Sequence, residues 1–203
     1  MRRSLLVLLM AGMTAVFCDD GAAAHPHVFI KHSMRLIFGA DDIVGVRMRW
    51  TFDEMYSSMI KSDYTKSGDG SLTPADVRAI EKENFSNLAN FGFFVDVRIN
   101  DKPIRVTSVK DFDAKYKDNR MIFEFTVPLA TGAPQKPNVI ELDAFDPEYY
   151  VEFTIADQDA EAVSVEHGDR FATGCTVKRD IRRNSELGPV NTDIVECTYQ
   201  PKS

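Results

Sequence analysis

Two histidines flanking a proline, His25-Pro26-His27, are the residues of this sequence best suited to chemistry. Imidazole is a ligand for Ni, Co, Zn and Cu ions. If the chain is cut ahead of His25, that residue offers its α-amine as well as its ring. With an ordinary pKa of about 8, the amine is partly neutral at physiological pH. Pro26 has no backbone N–H. It therefore removes one amide ligand from the usual square-planar amino-terminal arrangement, and any site must close with side chains from elsewhere. Glu54 and Asp146 are the candidate carboxylates for that role. His32 and His167 are further imidazoles, although each taken singly reads as a surface residue.

A second set of oxygen ligands lies in Asp63-x-Thr65-x-Ser67-x-Asp69-Gly70-Ser71-Leu72-Thr73-x-x-Asp76. An EF-hand loop takes ligands from positions one, three, five, seven, nine and twelve, with glycine at six. Counting from Thr65, Gly70 and the apolar Leu72 are well placed, but the first position is a threonine and the twelfth is Asp76, not a bidentate glutamate. Asp63 is close enough to serve in a shifted register. With so few carboxylates the loop predicts weak Ca²⁺ binding at best. The alternative is a tight glycine turn leading into a capped helix.

The elements that must position these residues are mostly strands. Arg2-Arg3, the apolar run Leu5 to Val16 and Ala22-Ala23-Ala24 read as a cleaved secretory signal over residues 1–24. This predicts a periplasmic, β-rich single domain over 25–203 that does not span the membrane. Cys18 leaves with the signal, and it lacks the small preceding residue of a lipoprotein site. Cys175 and Cys197 remain as an even pair in an exported chain, which predicts a disulfide. The chain carries a formal net charge of −7 with a pI near 5.1, which argues against a nucleic-acid footprint. No nucleophile elbow, phosphate-binding glycine loop or H-E-x-x-H helix is present, so a non-enzymatic role is expected.

Period-two alternation marks the strands. Met34, Leu36 and Phe38 face one way, Gly39 to Asp42 turns, and Val44, Val46, Met48 and Trp50 follow. Phe94 to Ile99 and Ile104 to Val106 flank a hairpin signal at Asn100-Asp101. Met121 to Val127, Val139 to Ala144 and Tyr149 to Ile155 continue the series, with weaker segments around Val163–Val165, Cys175–Lys178 and Ile194–Tyr199. Residues about 53–62 and 74–91 read as helices, the second capped by Thr73 with Pro74 at its first position. The expected fold is mostly β (α+β): an antiparallel sandwich or open barrel-like sheet with a helical hairpin inserted over about 53–91. Asp53 suits the N-cap of the first helix, and Asp146, Glu148 and Tyr150 form a turn after Phe145.

His25-Pro26-His27-Val28-Phe29-Ile30, Trp50-Thr51-Phe52-Asp53-Glu54, Gly68-Asp69-Gly70-Ser71-Leu72 and Asp146-Pro147-Glu148-Tyr149-Tyr150, in that order, resemble the DUF1007 family of exported proteins. The resemblance spans the mature chain. It implies a periplasmic component of an uncharacterised ABC-type transport system, associated with nickel/cobalt permeases of the inner membrane. His25, His27 and Asp53 match the family's motif positions. The family's loop resembles a complete EF-hand more closely, since Thr65 and Ser67 stand here where carboxylates are expected. The combined expectation is an accessory protein for Ni, Co or Zn transport. A periplasmic structural or protein-interaction module with no metal role is the alternative.

Overall fold

The computed structural model describes residues 26–66, 71–130, 137–156, 162–184 and 188–202. The signal segment, His25 and Cys18 therefore lie outside the described residues, as do Ser67, Asp69 and Gly70 of the candidate calcium loop. Two β-sheets and a few helices form a mixed α+β fold. Among the described residues neither sheet closes into a barrel.

The first sheet is built on β1 (Val28–Phe38) and β2 (Ile43–Phe52), an antiparallel pair with Ile30 opposite Phe52 and His32 opposite Trp50. β6 (Arg120–Pro128) pairs β2, and β5 (Lys110–Lys117) pairs β6. The outer edge of β1 departs from the antiparallel expectation. It is covered by two parallel strands in succession, β8 (Val151–Ile155) along Val28–His32 and β9 (Val163–Glu166) along Met34–Ile37. Parallel neighbours need long connections, and local turn signals do not reveal such partners.

The second sheet has the order β10-β11-β7-β3-β4, from β3 (Val95–Ile99), β4 (Lys102–Ile104), β7 (Asn138–Ala144), β10 (Phe171–Asn184) and β11 (Gly188–Pro201). Asn100 and Asp101 both adopt positive φ between β3 and β4, and Asp118 and Asn119 do so between β5 and β6. Two consecutive positive-φ residues match the twist of a two-residue hairpin, and Asn and Asp tolerate them best. Cys175 and Cys197 sit directly opposite each other on β10 and β11 and form the expected disulfide, with Cα atoms 4.1 Å apart.

Alternation decides which side chains enter the core. On β1, Val28, Ile30, His32, Met34, Leu36 and Phe38 are all buried while the residues between them face outward or are half-buried. On β2 the inward series is Ile43, Val46, Met48, Trp50 and Phe52, so Val44 is not part of it. A bulge pairs Phe38 with Ile43 and Ile37 with Gly45, which turns Val44 outward. Phe38 meets Phe171 and Tyr199 of the second sheet at ring distances of 4.4 and 5.6 Å, joining the two layers in one apolar cluster.

The helical insertion is α1 (Glu54–Tyr64) and α2 (Pro74–Glu83), followed by a 3₁₀ segment over Phe85–Phe94. Helix α2 is shorter than its apolar spacing predicts. The side chains of Ser86 and Asn87 donate to the carbonyls of Glu81 and Glu83 at 2.7 and 3.0 Å, taking up orphan acceptors at its end. Gly92, Phe93 and Phe94 then adopt left-handed backbone with φ of 61°, 55° and 51°. None of the helices among the described residues is long and apolar enough to cross a membrane.

Candidate functional site

Three segments far apart in sequence meet at one end of the first sheet: His27–Ile30, Trp50–Glu54 and Asp146–Val151. The registers bring them together, because β1 places Ile30 beside Phe52 on one side and Val28 beside Val151 on the other. Two aspartates fix the junction. Asp53 caps α1 by accepting from the Tyr56 N–H through Oδ1 at 2.9 Å. Its Oδ2 accepts from the Phe29 N–H at 2.9 Å, and its own N–H donates to the Phe29 carbonyl at 2.9 Å. One side chain thus starts a helix and pins the neighbouring strand.

Asp146 does the same for the loop ahead of β8. It is buried, and its carboxylate accepts from the N–H groups of Glu148, Tyr150 and Val151 at 2.9, 3.0 and 2.9 Å. These bonds hold Tyr149 in left-handed backbone at φ 55°. Tyr150 is left half exposed. Its carbonyl accepts from the His27 N–H at 2.8 Å, and its ring lies 5.0 Å from the His27 ring. The first imidazole of the described chain is therefore held in one place, on the rim of this junction.

Beneath the rim is a cavity of about 230 Å³. Trp50, Phe52, Tyr56, Phe91, Phe94 and Tyr150 contribute aromatic wall, and Asp146 and Glu148 contribute the carboxylates. No Lys, Arg or His lines it among the described residues. Phe94 reaches the wall from the left-handed turn at Gly92–Phe94, packed 5.8 Å from Phe153. The Trp50 Nε1 is buried and has no hydrogen-bond partner among the described residues. A buried donor without an acceptor is costly and calls for an explanation.

The other candidate ligands are distributed elsewhere. Glu54 is exposed and its carboxylate lies 3.1 Å from the Arg120 guanidinium. Among the described residues, no three or more His, Cys, Asp and Glu side chains are grouped to hold a metal ion. In the calcium-loop candidate, Asp63 lies in the last turn of α1 and Thr65 is its C-cap. Asp76 closes a capping box with Thr73, whose N–H and hydroxyl donate to it at 2.8 and 2.7 Å. Those bonds, the backbone one foremost, hold its carboxyl below the usual range. Ser71 is exposed just ahead of the helix. No EF-hand-like loop is seen among the described residues; what they show is two helix termini.

One of the two single histidines corrects the sequence expectation. His32 is not on the surface. It is 2 % exposed, on the inward face of β1, edge-on to Phe153 at 6.1 Å, with Nδ1 unpartnered among the described residues. Burial lowers its pKa from 6.5 to about 4, opposed by the Asp193 carboxylate. The signal was available, since His32 falls in phase with Ile30 and Met34. His167, by contrast, is exposed on a left-handed turn, 3.4 Å from Glu166.

The chain is similar to an uncharacterized protein of Haemophilus influenzae, with 27 % identity over 151 residues that cover 73 % of this chain and 71 % of the relative. It is also similar to an uncharacterized 15.5 kDa protein in the trpE 3' region of Spirochaeta aurantia, with 31 % identity over 67 residues, covering 33 % of this chain and 48 % of that protein. The family model described as a protein of unknown function, DUF1007, matches residues 8–186, from ahead of β1 to just before β11. A match over that length makes the chain a member of the DUF1007 family.

Proposed function

We propose that this protein is a non-catalytic, periplasmic accessory protein for transition-metal transport, binding Ni, Co or Zn through a processed His25 and through His27. The observation that supports this reading is the fixed position of His27. Its backbone is tied to Tyr150 at 2.8 Å and its ring rests on the tyrosine, and a processed terminus at His25 would begin only two residues before it. His25 would supply ring and α-amine, and His27 its ring. The carboxylates called for completing the site hold other partners. Glu54 would have to leave Arg120, and Asp146 would have to release three amides. The two histidines are therefore the ligands on which the proposal rests, and the receiving partner is an inner-membrane metal permease.

Calorimetric titration of Ni²⁺, Co²⁺ and Zn²⁺ into protein beginning at His25, beside protein with one extra amino-terminal residue, tests it. Tight binding lost in the extended form is the expected result. Equal weak binding in both forms would refute it. The second reading, a periplasmic interaction module without a metal role, is favoured by the aromatic cavity and would then stand.

A further inference from the structure

We propose that the cavity beneath Tyr150 is a binding site for a small organic ammonium ion. This inference is independent of the histidine proposal and uses different atoms. A transition-metal ion needs nitrogen, sulfur or oxygen lone pairs pointed at it, and the cavity wall is mostly carbon. Aromatic faces attract cations through their quadrupole, and alkylated ammonium groups, weakly hydrated and apolar in outline, suit an aromatic enclosure. Here Trp50, Phe52, Tyr56, Phe91, Phe94 and Tyr150 supply the faces.

The charged residues that line the cavity have one sign. Asp146 lines it while holding three amides, Glu148 lines it from an exposed position, and no Lys, Arg or His is among the lining residues described. The Arg120 guanidinium, 3.4 Å from the Phe52 carbonyl, is paired with Glu54. At about 230 Å³ the space falls below the roughly 300–1,000 Å³ of drug-sized sites, so the ligand is small. The backbone points the same way. Phe93 and Phe94 on one side and Tyr149 on the other sit in left-handed conformations that non-glycine residues avoid, and such strain clusters where ligands are held. A small alkylated ammonium ion suits both the aromatic walls and the carboxylates. A neutral hydrocarbon satisfies only the walls.

Trp50 is the chain's single tryptophan, so its fluorescence reports on this cavity directly. The probe is choline, titrated at constant ionic strength against sodium chloride, beside dimethylbutanol, its uncharged carbon isostere. The expected result is a saturable change with choline and affinity about tenfold weaker for the isostere. Glu148→Gln, at an exposed position, should weaken choline binding and leave the isostere unchanged. Phe91→Ala, on a half-exposed wall residue, should weaken both. Equal affinity for choline and its isostere would overturn the proposal in favour of an apolar site, and no saturable change at millimolar choline would overturn it outright. Loss of metal binding in the histidine experiment would not affect either readout.

Discussion

At the end where β1, β2 and the loop over 146–151 meet, two aspartates accept hydrogen bonds from backbone amides. Asp53 ties α1 to β1, and Asp146 ties one loop to itself through three amides. The hairpin of β10 and β11 is built differently. β11 pairs β7 only over Val195–Tyr199, and beyond Thr192 the two strands pair only with each other. Lys178 to Ile181 are exposed there, and Ile181 is 58 % exposed. A two-stranded ribbon is marginal in water, and the bridge at Cys175–Cys197 ties its base to the sheet. One end is specified by side-chain hydrogen bonds to the backbone, the other by a covalent link. The first arrangement fixes the shape of a cavity; the second keeps a strand pair together without shaping a pocket.

The contrast can be broken at either end. Asp146→Ala takes a buried acceptor from three part-buried backbone donors and should cost about 4 kcal/mol in urea unfolding. A loss under about 1 kcal/mol would show that the loop does not depend on its aspartate.

Between the two ends lies His32, on β1 and facing toward Asp193 of β11. Its folded pKa, about 4, is below its ordinary 6.5, so the unfolded chain takes up the proton first as pH falls. The stability it contributes is complete above pH 6.5 and is lost as pH drops toward 4. At about 1.4 kcal/mol per pH unit this amounts to about 3 kcal/mol. His32→Phe should remove that part of the acid sensitivity, read as the difference between the two proteins' stability at pH 4 and pH 7. Parallel pH profiles for both would contradict it.

Reducing the disulfide should cost less, about 2 kcal/mol, through the loop-closure entropy that the bridge between Cys175 and Cys197 removes from the unfolded chain. Trp50 emission should be unchanged by the reduction, and a shifted spectrum would mean that the two ends are coupled. The smallest effect is expected at the tip of the arm, where Ile181→Ser should change stability by less than about 0.5 kcal/mol.

How much of this was legible follows from the range of each interaction. The inward face of β1 and the core positions of β6 can be read from alternation, because side-chain direction is local. The phase of β1 also carried the burial of His32, which composition alone assigns to the surface. Thr73, Pro74 and Asp76 announced the start of α2 through local capping chemistry. β5 is not signalled, since Lys110 to Lys117 alternates charge more than hydrophobicity and owes its strand to pairing with β6. The bulge at Val44 depends on a turn and shifts the inward series by one residue. The cavity was out of reach, because it needs β1 beside β8, α2 ending at Glu83, and Phe94 turned by a left-handed backbone. Each of those is set by tertiary contact.

The parallel pairing along β1 bears on the order in which the chain acquires structure. β1 is made early and can join β2 at once through a short turn. Its other edge stays unpaired until β8 and β9 have been synthesised, with most of the remaining strands made in between. Closing so long a loop is slow. Meanwhile an eleven-residue strand with an apolar face presents open backbone to any neighbour that can add to it. A nascent chain cut before Val151 should therefore self-associate where the complete chain does not, and a holding chaperone that masks the β1 edge should be needed only until β9 emerges.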